Sequence, residues 1–461
     1  MHRHSGGAFA LALVFASGCG GGNGPGIGFD LGDFGGGTMD MGRGDLGDAG
    51  SSDMDGGDPV DGGDMGDAGI DPGSCESVEA DRFDLGEDER PDPRRVAVVA
   101  GDTGFYLAWV DQGGGLRSLR GLRVPTTGEP GEPVELTAGV TRPREPALLA
   151  LDDGFLLAYT DNDTGGDGEQ VLTRRIGADG APIGTATVIT EGPLRHSAAA
   201  LAREGTTFLA AFLESDVGGG LAQLQTVNLD AQGRVPTGAT IRDVGAANAS
   251  LRSPQLGPRT GLGYALAWVA ANGDGDREAF YAPLSVTGAL DGTPVTVSRE
   301  ANVNEHIALA LLSQEIIPEA NDLLGFAFDV RISGARAESH LRIHDALTTE
   351  GGSEVPAHAS PQTSRSPSIV PFGGGFVVGQ LLITDTDDAG FVGPTVGLSL
   401  LDRAAAFVTT LTFGDVLASS SADGGPTALA VASDGTFLIT WVDRTATGGT
   451  SYHARRVRCA L

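Results

Sequence analysis

An all-β fold made of seven repeated four-stranded units is predicted by three features of the sequence. Short apolar runs separated by Gly, Pro, Asn and Asp fill the chain after Cys75, which is typical of many strands and no long helices. One run recurs seven times and, in its clearest copies, ends in an aromatic residue and an acid. The copies are about 50 to 60 residues apart, a spacing within the range of propeller and solenoid repeats.

Each repeat is predicted to contribute four strands, a to d. In the second repeat these cover residues 146–151, 155–161, 170–176 and 185–190. Strand b carries the recurring signature, which stands at 105–111, 155–161, 208–214, 264–270, 323–329, 376–382 and 437–443. Four antiparallel strands repeated radially form the blades of a β-propeller. The sequence therefore predicts a seven-bladed β-propeller, with a β-helix or open solenoid of shorter repeats as the alternative.

The N-terminus has the pattern of an export signal. A short basic start is followed by an apolar run at 8–16 and by small residues at 17–19, which fits a secretory signal peptide. Residues 15–19, Phe-Ala-Ser-Gly-Cys, resemble the lipobox of bacterial lipoproteins. The resemblance implies that Cys19 carries diacylglycerol, begins the mature chain and anchors it to a membrane. Ala16 stands where the family prefers Leu, so ordinary signal-peptidase cleavage is the alternative.

Three segments follow: a signal peptide at 1–18, a lipid-anchored tether at 19–75 and the propeller at 76–461. The tether is almost wholly Gly and Asp, so its charge and its lack of apolar residues predict a disordered, extended segment. In lipoproteins of this type an Asp after the lipidated Cys marks inner-membrane retention. Gly20 at that place implies the outer membrane or the cell surface.

Closure of the ring is predicted from the two ends of the propeller. The seventh repeat has no strand d, and residues 78–85 read as a strand d without a blade of its own, so this segment is expected to complete the last blade. That arrangement would place Cys75 beside Cys459. With Cys19 lipidated, these two cysteines remain, and export favours a disulfide between them.

The region from about 76 to 461 resembles bacterial propeller lipoproteins built from degenerate repeats of a Gly-Phe-Leu-Val-Ala-Trp type, each followed by an Arg-bearing third strand. The resemblance implies the architecture and says little about activity, because one fold serves enzymes, receptors and scaffolds.

The charge composition limits the classes of ligand that the protein is expected to bind. Lys and Arg total 30 against 61 acidic residues, for a formal charge of -31, which argues against nucleic acid. Arginines are nevertheless predicted just before five of the seven strands a, on the face that carries the b-to-c loops: Arg95, Arg144, Arg195, Arg252 and Arg365. His306 takes the corresponding place in another repeat. A ring of guanidinium groups suits a carboxylate or phosphate ligand. The alternative is pairing with the acids that end strand b, namely Asp111, Asp161, Glu214 and Asp443.

No catalytic residue, metal site or cofactor is predicted. The five tyrosines fall within predicted strands, and no sialidase Asp box, nucleophile elbow, phosphate loop or zinc spacing occurs. Three acidic b-to-c loops, at 161–167, 272–276 and 385–388, lack a complete calcium-loop spacing. The sequence favours a monomeric, non-catalytic, lipid-anchored binding module for a protein or anionic glycan. A structural envelope scaffold is the alternative, and a propeller glycosidase a remote one.

Overall fold

The protein forms a ring of seven four-stranded antiparallel sheets, which confirms the predicted seven-bladed β-propeller. The structure, a computed structural model, describes residues 75–88, 96–113, 116–137, 142–162, 168–216, 220–248, 250–272, 274–299, 303–313, 322–333, 336–358, 363–383, 395–416, 427–444 and 449–459. The predicted signal peptide, Cys19, the predicted tether up to residue 74 and Arg95 lie outside these residues. In the described part, no helix has the length and apolar character needed to cross a membrane.

The first three blades follow one another along the chain. Blade 1 consists of β2 (Ala97–Gly101), β3 (Gly104–Gly113), β4 (Leu116–Pro125) and β5 (Val134–Glu135). Blade 2 consists of β6 (Arg144–Leu151), β7 (Gly154–Asp161), β8 (Gln170–Gly177) and β9 (Pro182–Val188). Blade 3 consists of β10 (Arg195–Glu204), β11 (Thr207–Ser215), β12 (Ala222–Leu229) and β13 (Arg242–Asn248).

The next three blades repeat this order. Blade 4 consists of β14 (Arg252–Arg259), β15 (Gly263–Ala271), β16 (Arg277–Leu284) and β17 (Val295–Thr296). Blade 5 consists of β18 (Val303–Leu312), β19 (Leu323–Ser333), β20 (Arg336–Asp345) and β21 (Gly351–Pro356). Blade 6 consists of β22 (Thr363–Phe372), β23 (Gly375–Ile383), β24 (Thr395–Leu401) and β25 (Phe407–Val416).

Blade 7 is built from both ends of the propeller. Its strands are β26 (Ala428–Val431), β27 (Thr436–Arg444), β28 (Thr450–Cys459) and, at the outer edge, β1 (Cys75–Asp88). The predicted closure by an N-terminal strand is therefore confirmed, and β1 is longer than the 78–85 segment expected from the sequence. The first strands of successive blades contact one another in order, and β26 contacts β2, so the innermost strands form a closed ring.

The strand b signature is apolar throughout because both of its faces are buried. In β7, Phe155, Leu157 and Tyr159 pack against blade 1. The alternate residues Leu156 and Ala158 pack against blade 3. Successive side chains of a strand point to opposite faces, so a strand between two neighbours needs apolar residues at every position. The core consequently consists of clusters between neighbouring blades.

A glycine precedes several of these signatures for a steric reason. Gly154 has a φ of 148°, and a Cβ at this residue would lie 2.2 Å from the carbonyl oxygen of Ile176 on the neighbouring strand. Gly104 and Gly263 occupy the same place in blades 1 and 4. The tight a-to-b turn therefore requires a residue without a side chain at the start of strand b.

The register of the closing blade pairs Cys75 with Cys459 directly. We expect a disulfide between them, because antiparallel neighbours can lie within the Cα separation that the bond requires. Alkylation without reduction should modify neither cysteine, and reduction should add the mass of two hydrogen atoms. Replacing Cys459 with Ser should lower the free energy of unfolding by up to about 5 kcal/mol, since the bond closes a loop as long as the domain. Alkylation of both thiols in the unreduced mature protein would contradict the bond.

Candidate functional site

The structure places the arginines predicted to bind anions at the beginning of the innermost strands. Arg144, Arg195 and Arg252 are the first residues of β6, β10 and β14, and Arg365 is the third residue of β22. The sequence placed them just before these strands. The arginines lie within the inner strands because each of these strands pairs with strand b on both sides of a β-bulge near its first residue.

These bulges contain residues with a left-handed backbone. Four non-glycine residues of the bulges have φ between 47° and 54°: Glu145, Ala198, Ser253 and Ser366. Arg144, Arg252 and Arg365 directly precede such a residue, whereas Arg195 stands three residues before Ala198. Arg195 is therefore not equivalent to the other arginines. Conformations of this kind cost about 1 to 3 kcal/mol each and persist where the surrounding structure holds them.

Carboxylates of the preceding blade hold two of the bulges. Glu145 Oε2 accepts hydrogen bonds from the Ala198 amide at 2.8 Å and from Thr160 Oγ1 at 3.2 Å. Asp329 accepts from the Ser366 amide at 2.9 Å and from Ser339 Oγ at 3.2 Å. Each acid thus ties the inner strand of the next blade to its own blade, and the left-handed residues are fixed in place.

Arg144, Glu169 and Arg195 form what we call the arginine–glutamate cluster. Arg144 Nη2 and Arg195 Nε both contact Glu169 Oε2, the latter at 2.5 Å. The side chains of Arg144 and Glu169 are 17% and 24% exposed, and that of Arg195 is 41% exposed. Glu169 also accepts a hydrogen bond from the His196 amide at its carbonyl oxygen, 2.8 Å away. The cluster therefore bridges blades 2 and 3 and remains accessible to solvent.

Two of the acids that end strand b, Asp161 and Glu214, contact groups other than the predicted arginines. Asp161 Oδ1 accepts from the amides of Arg142 and Asn162, at 3.0 and 2.7 Å. Glu214 Oε2 lies 3.0 Å from His196 Nε2. Burial lowers the pKa of His196, and the hydrogen bond and charge of Glu214 only partly oppose this. His196 is consequently neutral at pH 7 and adds no positive charge beside the cluster.

Two of the five predicted arginines are thus brought together. Arg252 is half-buried at the bulge of blade 4 and is not part of the cluster. Only the backbone of Arg365 is described. The sequence reasoning missed Glu169, because it is one of many acids in a variable loop. The only available signal was its place directly before strand c.

The tyrosines are buried packing residues, as predicted. Tyr106, Tyr159, Tyr264, Tyr281 and Tyr452 lie within strands and are at most 3% exposed. Burial raises the pKa of Tyr281 to about 12, with nearby charges making smaller contributions. A phenol in this state is a poor nucleophile at neutral pH.

Of the three acidic loops, the one at 272–276 is described except for residue 273, and it forms a turn. Residues 163–167 of the first loop lie outside the described residues. Asn272 Oδ1 accepts from the amides of Asp274 and Asp276, at 2.9 and 3.1 Å. Among the described side chains, no three His, Cys, Asp or Glu residues are grouped in a way that could hold a metal ion. The 385–388 loop lies outside the described residues.

A cavity of about 420 Å³ opens at the opposite end of the inner strands. Turn residues of blades 7, 1 and 2 line it together with Arg203 of blade 3. Arg203 binds Asp152 through two hydrogen bonds of 2.6 and 3.1 Å. The charges of this pair offset each other, and Asp102 adds a further carboxylate to the cavity lining.

Comparisons with known proteins concern the fold. No family model and no curated protein matches the sequence. A protein of unknown function from Dyadobacter fermentans is similar in structure, with 8% identity, 84% of this chain and 99% of that chain covered and a TM-score of 0.49. A puromycin-hydrolyzing peptidase from Mycobacterium tuberculosis has 16% identity, coverages of 82% and 55% and a TM-score of 0.46. A Trypanosoma rangeli sialidase has 11% identity, coverages of 81% and 58% and a TM-score of 0.41.

A separate titratable cluster lies in blade 5. His340 Nδ1 is 2.6 Å from Glu354 Oε1, and Nε2 is 3.4 Å from Glu338 Oε2. Burial disfavours the imidazolium, but the hydrogen bonds and charges of the two glutamates outweigh it and raise the pKa of His340. Burial likewise acts against the Glu354 carboxylate, yet His340 and the Arg299 amide lower its pKa.

The cluster predicts a pH-dependent stability. Because its pKa is raised in the folded protein, His340 stabilises the fold fully at pH values below its unfolded pKa of about 6.5. This stabilisation is lost as the pH rises through the folded pKa. The lowered pKa of Glu354 means that its contribution is lost at acidic pH instead. Thermal unfolding of the wild type and of His340→Gln should therefore differ most at mildly acidic pH and converge at alkaline pH. A difference that grows with pH would contradict this assignment.

Proposed function

We propose that the protein is an exported, lipid-anchored interaction module and that the arginine–glutamate cluster receives an anionic group of its ligand. The observation that carries this proposal is the sharing of one carboxylate by two guanidinium groups on a partly exposed surface. Each guanidinium has five N–H donors, and Glu169 engages only a few of them. Arg195, whose side chain is 41% exposed, retains donors that suit a further carboxylate.

Charge supports the same proposal. Two arginines and one glutamate leave the cluster with one net positive charge, within a chain whose formal charge is -31. A guanidinium fork suits a single anionic group, and the carboxylates of Glu145 and Asp161 beside the cluster repel an extended polyanion. This favours a carboxylate on a glycan over nucleic acid.

Binding without chemistry is the expected role of this cluster. Asp161 and Glu145 accept hydrogen bonds from backbone amides. A glycosidase needs a carboxylic acid that can protonate the leaving group. These two carboxylates beside the cluster are instead occupied in holding the backbone, so a glycosidase remains the remote alternative.

A structural envelope scaffold is the second candidate. Glu169 joins the inner strands of blades 2 and 3, and a contact of this kind can serve rigidity alone. The two candidates predict different effects of replacing Arg195. A scaffold depends on the stability that Arg195 adds to the fold, whereas a binding module depends on its positive charge for ligand affinity.

The binding proposal is tested by titrating the mature protein with a galacturonic-acid oligosaccharide and with its neutral galactose counterpart. We expect binding of the acidic oligosaccharide alone, weakened at least about tenfold by Arg195→Ala, since charge-assisted hydrogen bonds contribute about 1.5 to 3 kcal/mol. Glu169→Gln removes the competing charge and should strengthen binding. Arg203→Ala, on the opposite face, is the matched control and should leave affinity unchanged.

Equal binding by the wild type and Arg195→Ala would refute the binding role of the cluster. A wild type that binds neither oligosaccharide, together with a lower Tm for Arg195→Ala, would instead support the scaffold.

The anchor is proposed from the lipobox resemblance. Diacylglycerol on Cys19 would hold the mature chain at the outer membrane or cell surface, and the Gly- and Asp-rich tether would separate the propeller from the lipid. The membrane is then the first partner, and we propose a monomer.

Cys19→Ser tests the anchor. The wild type should fractionate with membranes and carry a lipid-sized mass on Cys19, because several acyl chains bind a bilayer far more firmly than one. The variant should lose both properties, whereas Cys459→Ser should stay in the membrane fraction. Recovery of unmodified wild type in the soluble fraction would favour ordinary signal-peptidase cleavage.

A further inference from the structure

We propose that Ser451, His453 and Asp84 form a nucleophilic triad that accepts acyl groups from small, activated esters. The triad lies in blade 7, on strands β28 and β1, and its role goes beyond the binding function proposed for blades 2 and 3. The proposal rests on three groups placed in hydrogen-bonded sequence: a hydroxyl, an imidazole and a carboxylate.

The distances are those of an activated serine. Ser451 Oγ lies 2.9 Å from His453 Nε2, and His453 Nδ1 lies 2.6 Å from Asp84 Oδ1. A carboxylate only accepts hydrogen bonds, so Nδ1 carries the imidazole proton and donates a hydrogen bond to Asp84. Nε2 then has a free lone pair and accepts from the Ser451 hydroxyl. This is the tautomer that a general base needs.

The imidazole is held firmly and the hydroxyl remains reachable. The His453 ring stacks on Trp441 with centroids 5.4 Å apart and planes inclined by 27°. The guanidinium group of Arg82 lies over the Trp441 ring, 5.7 Å from its centroid. The His453 side chain is 10% exposed, Asp84 is 73% exposed and Ser451 is half-buried. A small electrophile can therefore approach the serine while the base stays fixed.

Blade 1 supplies a natural comparison. Ser118 stands opposite Asp111 as Ser451 stands opposite Asp443, so the two serines occupy the same register. Arg120 takes the place of His453, opposite a tryptophan in both blades, and it binds Asp111 at 3.0 Å. Blades 1 and 7 thus share the serine, whereas the base and its acid occur together in the closing blade. Arg120 cannot accept a proton, so Ser118 lacks activation.

Ring closure assembles the triad. Asp84 and His453 are separated by 369 residues in the sequence, and the register of β1 on β28 pairs them directly. A chain in which β1 is not docked has the serine and the base but lacks the group that orients the imidazole. Activity at Ser451 therefore also reports on closure.

The proposed reaction is acyl transfer to water. Ser451 Oγ attacks the ester carbonyl carbon as its proton passes to His453 Nε2, and Asp84 stabilises the imidazolium. The carbon–oxygen bond of the ester breaks, and the leaving alcohol takes the proton from Nε2. Water then attacks the acyl-serine with His453 again as base, releasing the carboxylic acid and restoring Ser451. Esters with good leaving groups suit the site because Asp84 is largely exposed and its electrostatic effect is weakened by water.

The test uses the mature protein with a fluorophosphonate probe and a p-nitrophenyl acetate assay. We expect one covalent adduct, mapped by peptide mass to Ser451, and a burst of nitrophenol. Ser451→Ala and His453→Gln should abolish labelling, and Asp84→Asn should slow it by up to about 10⁴-fold, as loss of the orienting carboxylate does in known triads.

Ser118→Ala is the matched control and should label at the wild-type rate. Thermal unfolding of each variant shows that loss of labelling is not loss of fold. No adduct on folded wild type under prolonged excess of probe, or labelling that is unchanged in His453→Gln, would overturn the proposal. Neither result bears on the oligosaccharide titration, because Arg195 and Ser451 lie in different blades.

Discussion

The antiparallel pairing of β1 with β28 is the constraint on which the rest of the molecule depends. It adds a fourth strand to blade 7 and joins the two ends of the propeller, so the innermost strands can form a closed ring. Leu85 of β1 packs into the cluster between blades 7 and 1 together with Trp109. Each blade then has two neighbours, and the apolar faces of every strand b are covered. The same pairing covers an edge of β28 that would otherwise present unpaired backbone groups.

Packing between neighbouring blades explains both why the strand b signature recurs and why its individual residues can vary. A strand b contributes alternate side chains to two different clusters, as Leu156 and Leu157 do in blade 2. Apolar character at every position is therefore required, while the identity of each residue depends on its neighbour. Tyr106 and Phe155, for example, stack with ring centroids 4.8 Å apart across blades 1 and 2. Degenerate copies such as that of blade 5 can therefore keep the fold without keeping the signature.

Charged groups concentrate where this packing ends, at the beginning of the inner strands. The bulges there adopt left-handed backbone that hydrogen bonds from backbone amides to Glu145 and Asp329 stabilise. Glu169 contacts both Arg144 and Arg195. The face therefore presents guanidinium groups and carboxylates at fixed positions. Rigid placement of a few polar groups on a β scaffold is what a selective binding surface requires.

The sequence by itself determined the all-β class, the seven blades, the strand order and the closing strand, because periodicity and turn residues are local properties that repeat. It also placed Arg144, Arg195, Arg252 and Arg365 near the start of their inner strands. Tertiary structure alone decided their partners, since Glu169 looks like any loop acid until blades 2 and 3 meet. The same holds for Asp84 and His453, which no spacing rule connects and which only the register of β1 on β28 brings together. Contacts between distant segments depend on the bulges and registers of particular strands, and those are set by packing and not by local pattern.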